Sequence, residues 1–269
     1  MTERFVRERA RCALRESRAL MMRESPEPLG AFFIGNAPVG RLTGRVRNSL
    51  LGERYREFVR HSPIGMTLNA DPHPEARSAC LDTLLLKLRE DGLLGTPCRE
   101  TVDIVYHGEK LARIDRSAIR FFGLRTTVAR LIADTADGRW LLQKRSLSKR
   151  IAPGLLDNFA AGMVASDETA AECMCRDSRE ETGLMIPFQS LTPDTELGFL
   201  SSRVVEEGFL SEDNVVFRIR LPEGFRPRPA TGEVESFCLL NDEELLHAVE
   251  SGRMMPEAAH IFLTLLAQD

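Results

Sequence analysis

Asp177, Glu180 and Glu181 are the residues whose types and spacing speak first of chemistry. On an α-helix each residue turns by about 100°, so offsets of zero, three and four place three carboxylates in one sector. Like charges at that spacing repel and resist ionising together, and a bound Mg²⁺ or Mn²⁺ removes the conflict. These hard cations favour oxygen donors, and Mg²⁺ completes its shell with waters and phosphate oxygens. That chemistry suits hydrolysis of a diphosphate, with water as the attacking group. By itself the cluster also reads as the solvated face of a helix.

The helix that must hold the acids is expected from about Glu168 to Thr182, with Gly183 as its C-terminal stop. Its apolar stripe, Ala171, Met174, Cys175 and Ser178, lies beside the acidic sector and anchors it to a core. Ahead of it, Lys144, Arg145, Lys149 and Arg150 form a short basic stretch that either meets phosphate oxygens or is plain surface charge. Glu233 or Glu235 offers a further metal ligand or a base, or remains a solvated strand residue. The sequence leaves the general base open between Glu180 and a later loop. The histidines stand alone and are assigned no catalytic role.

Wider spacing separates these readings. Gly162, five residues, Glu168, seven residues, Arg176, then Glu180, Glu181 and Gly183 resembles the Nudix box. A chance match of that length is expected in roughly one chain in ten thousand or fewer. Two positions depart from the pattern: Asp177 replaces a glutamate and Ser178 an aliphatic residue. The shorter Asp177 is expected to hold metal more weakly or through a water, and the Ser178 hydroxyl to bond back to the preceding turn.

The resemblance implies an α/β fold, a Nudix α/β/α sandwich with a mixed sheet, preceded by a smaller α+β domain. It implies Asp177, Glu180 and Glu181 as metal ligands, with Glu180, Glu181 and Arg176 as the catalytic set. Arg176 orients the cluster with Glu168 as partner, Gly162 supplies a tight loop entry and Gly183 the helix exit. Lys144, Arg145, Lys149, Pro153, Gly154, Asp157, Asn158, Ala161 and Gly162, with the later Gly232 to Phe237, resemble Nudix proteins related to thiamine pyrophosphokinase. Lys144, Arg145, Lys149 and Asn158 are accordingly the expected substrate contacts, and the cofactor is Mg²⁺ or Mn²⁺. The implied reaction is metal-dependent cleavage of a small-molecule diphosphate, with thiamine diphosphate or its oxidised analogues, cut to the monophosphate, as the first substrate expectation. Asp177 and Ser178 keep open a weakly active domain that senses a nucleotide or diphosphate. Isopentenyl diphosphate isomerase shares a Pro-Gly and Asn stretch, but residues 155–164 lack its cysteine and histidines.

The elements that position this machinery follow from periodicity. A helix is expected over about Pro74 to Arg89, and strand-like runs over Ala31 to Ile34 and Val102 to Tyr106. Around Gly123 the pattern changes to Thr127 to Ala133 and Trp140 to Lys144, a hairpin about the turn at Asp134 to Gly138. Later strands are expected at Asn214 to Arg220 and Val234 to Leu239, before two helices. This divides the chain into residues 1–122, a substrate-selecting unit or the dimerising part of a homodimer, and residues 123–269, the hydrolase domain.

At 269 residues, with 43% hydrophobic and 28% charged residues, the chain has room for two modest cores. The arginine-rich start is interleaved with Glu3, Glu8, Glu16 and Glu24, which argues for a mixed-charge surface helix over a transit peptide. No run reaches the roughly 18 apolar residues of a membrane span. A net charge of -4 gives no case for nucleic-acid binding. The six scattered cysteines form no CxxC pair, so zinc is not expected, and reduced thiols point to the cytoplasm.

Overall fold

The computed structural model describes residues 3–98, 100–149, 151–229 and 231–268. In chain order the elements are α1 (Glu3–Met21), β1 (Gly30–Ile34), β2 (Ala37–Leu42), α2 (Gly44–Ser49), β3 (Val59–Ser62), β4 (Gly65–Leu68), α3 (Pro74–Glu90), β5 (Thr101–Tyr106), β6 (Glu109–Asp115) and α4 (Ile119–Phe122). There follow β7 (Arg125–Asp134), β8 (Trp140–Arg145), β9 (Leu156–Asp157), β10 (Ala160–Met163), α5 (Ala170–Asp177), β11 (Phe199–Val205), β12 (Gly208–Arg220), β13 (Val234–Leu240), α6 (Asp242–Glu250) and α7 (Pro256–Ala267).

The first half is α+β: a sheet in the order β2-β1-β4-β3, a separate β5-β6 hairpin, and α3. Leu81, Leu84, Leu85 and Leu88 lie along the buried side of α3 and join Phe32, Ile104 and Phe122 in one core. The second half is an α/β/α sandwich around a mixed sheet, β11-β12-β7-β8-β13, in which β12 runs parallel to β7 and the other neighbours are antiparallel.

Alternation along β7 decides which face goes where. Ala129, Leu131 and Ala133 meet Met174 of α5 on one face. On the other, Ile132 packs with Leu245 of α6 and Phe262 of α7. Helix α1 is amphipathic and lies on α7 and α6, with Val6, Ala10 and Leu14 against Leu246 and Leu263. The first helix in sequence therefore completes the outer layer of the second half.

One irregularity of the sheet creates room for a site. β7 and β8 pair only at Ala133↔Leu141 and Asp134↔Trp140, then splay. The gap is filled by β10 against β7 and β9 against β8. β10 pairs with no strand but β7 among the described residues, so its outer edge stays open toward the end of α5.

Candidate active site

Thr169 and Glu172 form a capping box that starts α5, which places Glu168 just outside the helix. The predicted helix is continuous to Thr182, whereas the structure turns from α- to π-helical at Ser178–Thr182 and ends at Gly183, whose φ of 76° is the left-handed conformation glycine favours. The wider turn splits the acidic sector. Asp177 and Glu181 are each 6% exposed, while the Glu180 side chain is 43% exposed. The expected single sector of three carboxylates is thus two buried acids with a third swung outward.

The expected apolar stripe is also redistributed. Cys173, Met174, Ser178 and Thr182 are buried, and Ala171 and Cys175 are only partly so. Ser178 Oγ donates forward to the Leu184 carbonyl at 3.1 Å instead of back to the preceding turn. The chain beyond the π turn folds close enough to offer that acceptor.

Arg176 donates from Nε and Nη2 to the two oxygens of Glu168, each at 2.9 Å, and its Nη1 pairs with Asp177. The fork is bidentate and pre-organised. Those bonds to Glu168 raise the Arg176 pKa, and they hold Glu168 below the usual carboxylate range despite its burial. Burial pushes Asp177 up to about 6, outweighing the neighbouring guanidinium.

Glu181 Oε2 accepts from Gln143 Nε2 and from the open-edge amide of Ala161, both at 3.1 Å. Burial drives its pKa to about 8, with Lys149 acting in the opposite direction. Gly162 lies within β10 rather than at a loop turn: a Cβ there would overlap the Asp177 carboxylate. Its missing side chain is the space that Asp177 occupies.

These groups border a cavity of about 560 Å³, to which Asp177, Glu180, Glu181, Arg176, Arg145 and Lys149 all contribute. Arg145 binds Asp157 at 2.9 Å, and Lys149 binds Glu233 at 2.5 Å, so Glu233 also faces the cavity. Lys144 does not line it. Strand alternation turns Lys144 to the other face of β8, where it meets Glu235 at 3.2 Å. Asn158, expected as a substrate contact, is fully buried, accepts from Arg130 Nη1 at 3.4 Å, and does not line the cavity. Arg150 lies outside the described residues.

Sequence reasoning missed the residues that close the cavity from the first half: Glu100, Arg116, Ser117, Ile119 and Arg120. It also missed Arg130 and Glu212, buried charges on two separate strands. An arginine inside the apolar run of β7 was the available signal, since buried arginine is rare unless paired.

Among the described residues, no three Asp, Glu, His or Cys side chains stand close enough to hold a metal ion. Arg176 holds Asp177, Gln143 and Ala161 hold Glu181, and Glu180 lies at the exposed side of the cavity, 4.0 Å from Arg176. The donor chemistry nevertheless fits a hard divalent cation: the acids on this turn offer only oxygen, and Glu181 is a desolvated carboxylate bordering the cavity.

A mixed sheet between helices, with an acidic helix turn and basic residues lining one cleft, defines an α/β/α sandwich with a charged cleft. A family profile described as the NUDIX domain matches residues 123–261, and the chain belongs to that family. It is 35% identical over 91 residues to the "Uncharacterized Nudix hydrolase YfcD" of Escherichia coli (strain K12), covering 33% of this chain and 51% of that protein. It is 25% identical over 173 residues to the chloroplastic Nudix hydrolase 20 of Arabidopsis thaliana, covering 62% of this chain and 46% of that one. The solved structure of DR0079 from Deinococcus radiodurans is similar with a TM-score of 0.44 at 25% identity, covering 58% of this chain and 91% of that one. The chain spans about half the length of the curated relatives it matches.

Proposed function

We propose that this protein is a hydrolase that cleaves a diphosphate linkage with the help of Mg²⁺ or Mn²⁺. The observation that carries the reading is one cavity bordered by the acids Asp177, Glu180 and Glu181 on one side and by Arg145 and Lys149 on another. Glu181, Glu180 and Asp177 would hold the cation, which when bound supplies charge neutralisation and Lewis acidity. Arg145 and Lys149 would receive phosphate oxygens, and Arg176 keeps the acidic turn oriented through Glu168. A cavity carboxylate takes the proton from the attacking water; Glu180, the most exposed of the three acids, is the first choice.

Thiamine diphosphate or an oxidised analogue remains the proposed substrate, on the resemblance of residues 144–162 and 232–237 to the thiamine pyrophosphokinase-related group. The proposed division at 122/123 makes the first unit a substrate selector, because Arg116 and Arg120 border the cavity, with α1 reaching over the boundary to the second unit.

One observation favours a second reading. The acids are engaged by protein partners and do not converge, as expected of a weakly active domain that binds a diphosphate as a sensor. Release of phosphate or monophosphate across a diphosphate panel, with Mg²⁺, with Mn²⁺ and with chelator, separates the two. Metal-dependent turnover supports the hydrolase. Tight binding without turnover supports the sensor.

A further inference from the structure

The cavity reaches around the open edge of β10 to the face of the sheet opposite α5. Arg130 alternates with Ala129 and Leu131, which face α5, so its side chain emerges on that opposite side. Glu212 comes from β12, in register with Thr126 of β7. Arg130 and Glu212 are each 5% exposed and both border the cavity.

Buried charges are costly unless hydrogen bonds saturate them, and these two are not saturated. Arg130 Nε donates to Asn214 Oδ1 at 2.7 Å, and its Nη1 reaches Asn158 Oδ1 at 3.4 Å and stands 3.7 Å from Asp157 Oδ1. Glu212 Oε1 receives only a long bond from Arg120 Nη2, at 3.4 Å. That leaves Arg130 Nη2 and Glu212 Oε2, which stand 4.0 Å apart, too far to bond each other. Neither makes a hydrogen bond to another described residue. A donor and an acceptor are therefore left side by side at the cavity wall, on the strand face opposite α5.

We propose that Arg130 and Glu212 form the subsite that recognises the organic part of the substrate, and that the group recognised is planar and carries a hydrogen-bond donor next to an acceptor. The edge of an amino-substituted heterocycle has that pattern: its N–H faces Glu212 Oε2 while its ring nitrogen or carbonyl accepts from Arg130 Nη2. A purely aliphatic diphosphate would leave Arg130 Nη2 and Glu212 Oε2 without a hydrogen bond, and sites built on such pairs discriminate strongly against ligands that lack the partner. The inference rests on the cavity being a diphosphate-hydrolysing site and adds the class of molecule that enters it.

The test uses the full chain with Mn²⁺ and four probes: ADP, CDP and thiamine diphosphate, which carry amino-heterocycles, and isopentenyl diphosphate, which carries none. The wild type is expected to favour at least one heterocyclic probe over isopentenyl diphosphate by tenfold or more in kcat/KM. Glu212→Gln, which keeps the shape and removes the charge, should cut that ratio at least tenfold, chiefly through KM, with Glu212→Asp in between. Arg120→Lys loosens Glu212 from its other side and should lower the same ratio, which covers a Glu212→Gln that does not fold. A folded Glu212→Gln whose ratio is unchanged, or equal losses on all four probes, would overturn the subsite and leave the pair structural. If the wild type turns over none of them and Glu181→Gln behaves identically, the hydrolase reading has failed and the subsite with it.

Discussion

Gly162 and Asp177 share one volume: the place a Cβ would take on the glycine is filled by the carboxylate of the aspartate. Strand β10 and the last turn of α5 thus approach closely because one residue has no side chain. Gly162→Ala should displace Asp177 and strain a packed region, at a cost of about 1–3 kcal/mol in stability. Urea titration and kcat measured together check this, since both should fall. An alanine variant of native stability and rate would mean that Asp177 has another resting place.

Glu181→Gln should reduce kcat/KM about a thousandfold, near 4 kcal/mol of barrier. The amide oxygen can still accept from the Ala161 amide, so folding should survive while the charge is lost. Chelator should bring the wild type to the same level. Near-normal turnover by the folded variant, or activity that persists in chelator, contradicts the metal-helix assignment.

Asp177 is expected to contribute to cation affinity as a shortened ligand. Asp177→Asn removes charge and should weaken Mg²⁺ binding about tenfold, on the order of 1.4 kcal/mol. Asp177→Glu keeps the charge and should bind at least as well, provided the added methylene fits beside Gly162. Calorimetric titration of the three proteins decides. Equal affinities would place Asp177 outside the metal shell.

The wall from the first half is best tested by substitution, because deleting residues 1–122 would also strip α1 from Leu246 and Leu263. Arg116 borders the cavity and pairs with Glu100 at 2.5 Å. Arg116→Ala is expected to change the order of preference among diphosphates while lowering the rate on the best one less than tenfold. An unaltered order, measured as kcat/KM over the panel, would make this wall structural.

His260 gives the α1–α7 seam a pH dependence. Its Nδ1 lies 2.9 Å from Ser17 Oγ, and its ring packs on Phe199. Burial first and Arg18 second lower its pKa from 6.5 to about 4, with Glu257 opposing. The folded protein therefore holds a neutral ring where the unfolded chain already binds a proton. The resulting stability is complete above pH 6.5 and is lost as pH falls from 6.5 toward 4. Between pH 7 and 4.5 the melting temperature should fall further in the wild type than in His260→Gln. Parallel curves would show that His260 titrates at its ordinary value.

The signature residues were legible in the sequence because their chemistry is local. An arginine eight residues after a glutamate, acids on one turn and a glycine stop all act within two dozen residues. The strand runs of β7 and β8, helix α3 and the two closing helices were legible in composition and periodicity, whereas the mixed sheet came with the family resemblance. Tertiary structure decided the rest. The π turn that parts Glu180 from Glu181, the strand face that turns Lys144 away while keeping Arg145, and the packing of α1 on α7 depend on neighbours far along the chain. The Arg130–Glu212 pair, 82 residues apart, exists only because β12 runs parallel to β7 and sets two isolated charges on one face. Spacing within a segment records which side chains share a helix turn or strand face; which distant segments share a cavity is set by the pairing of strands and the fit of the core.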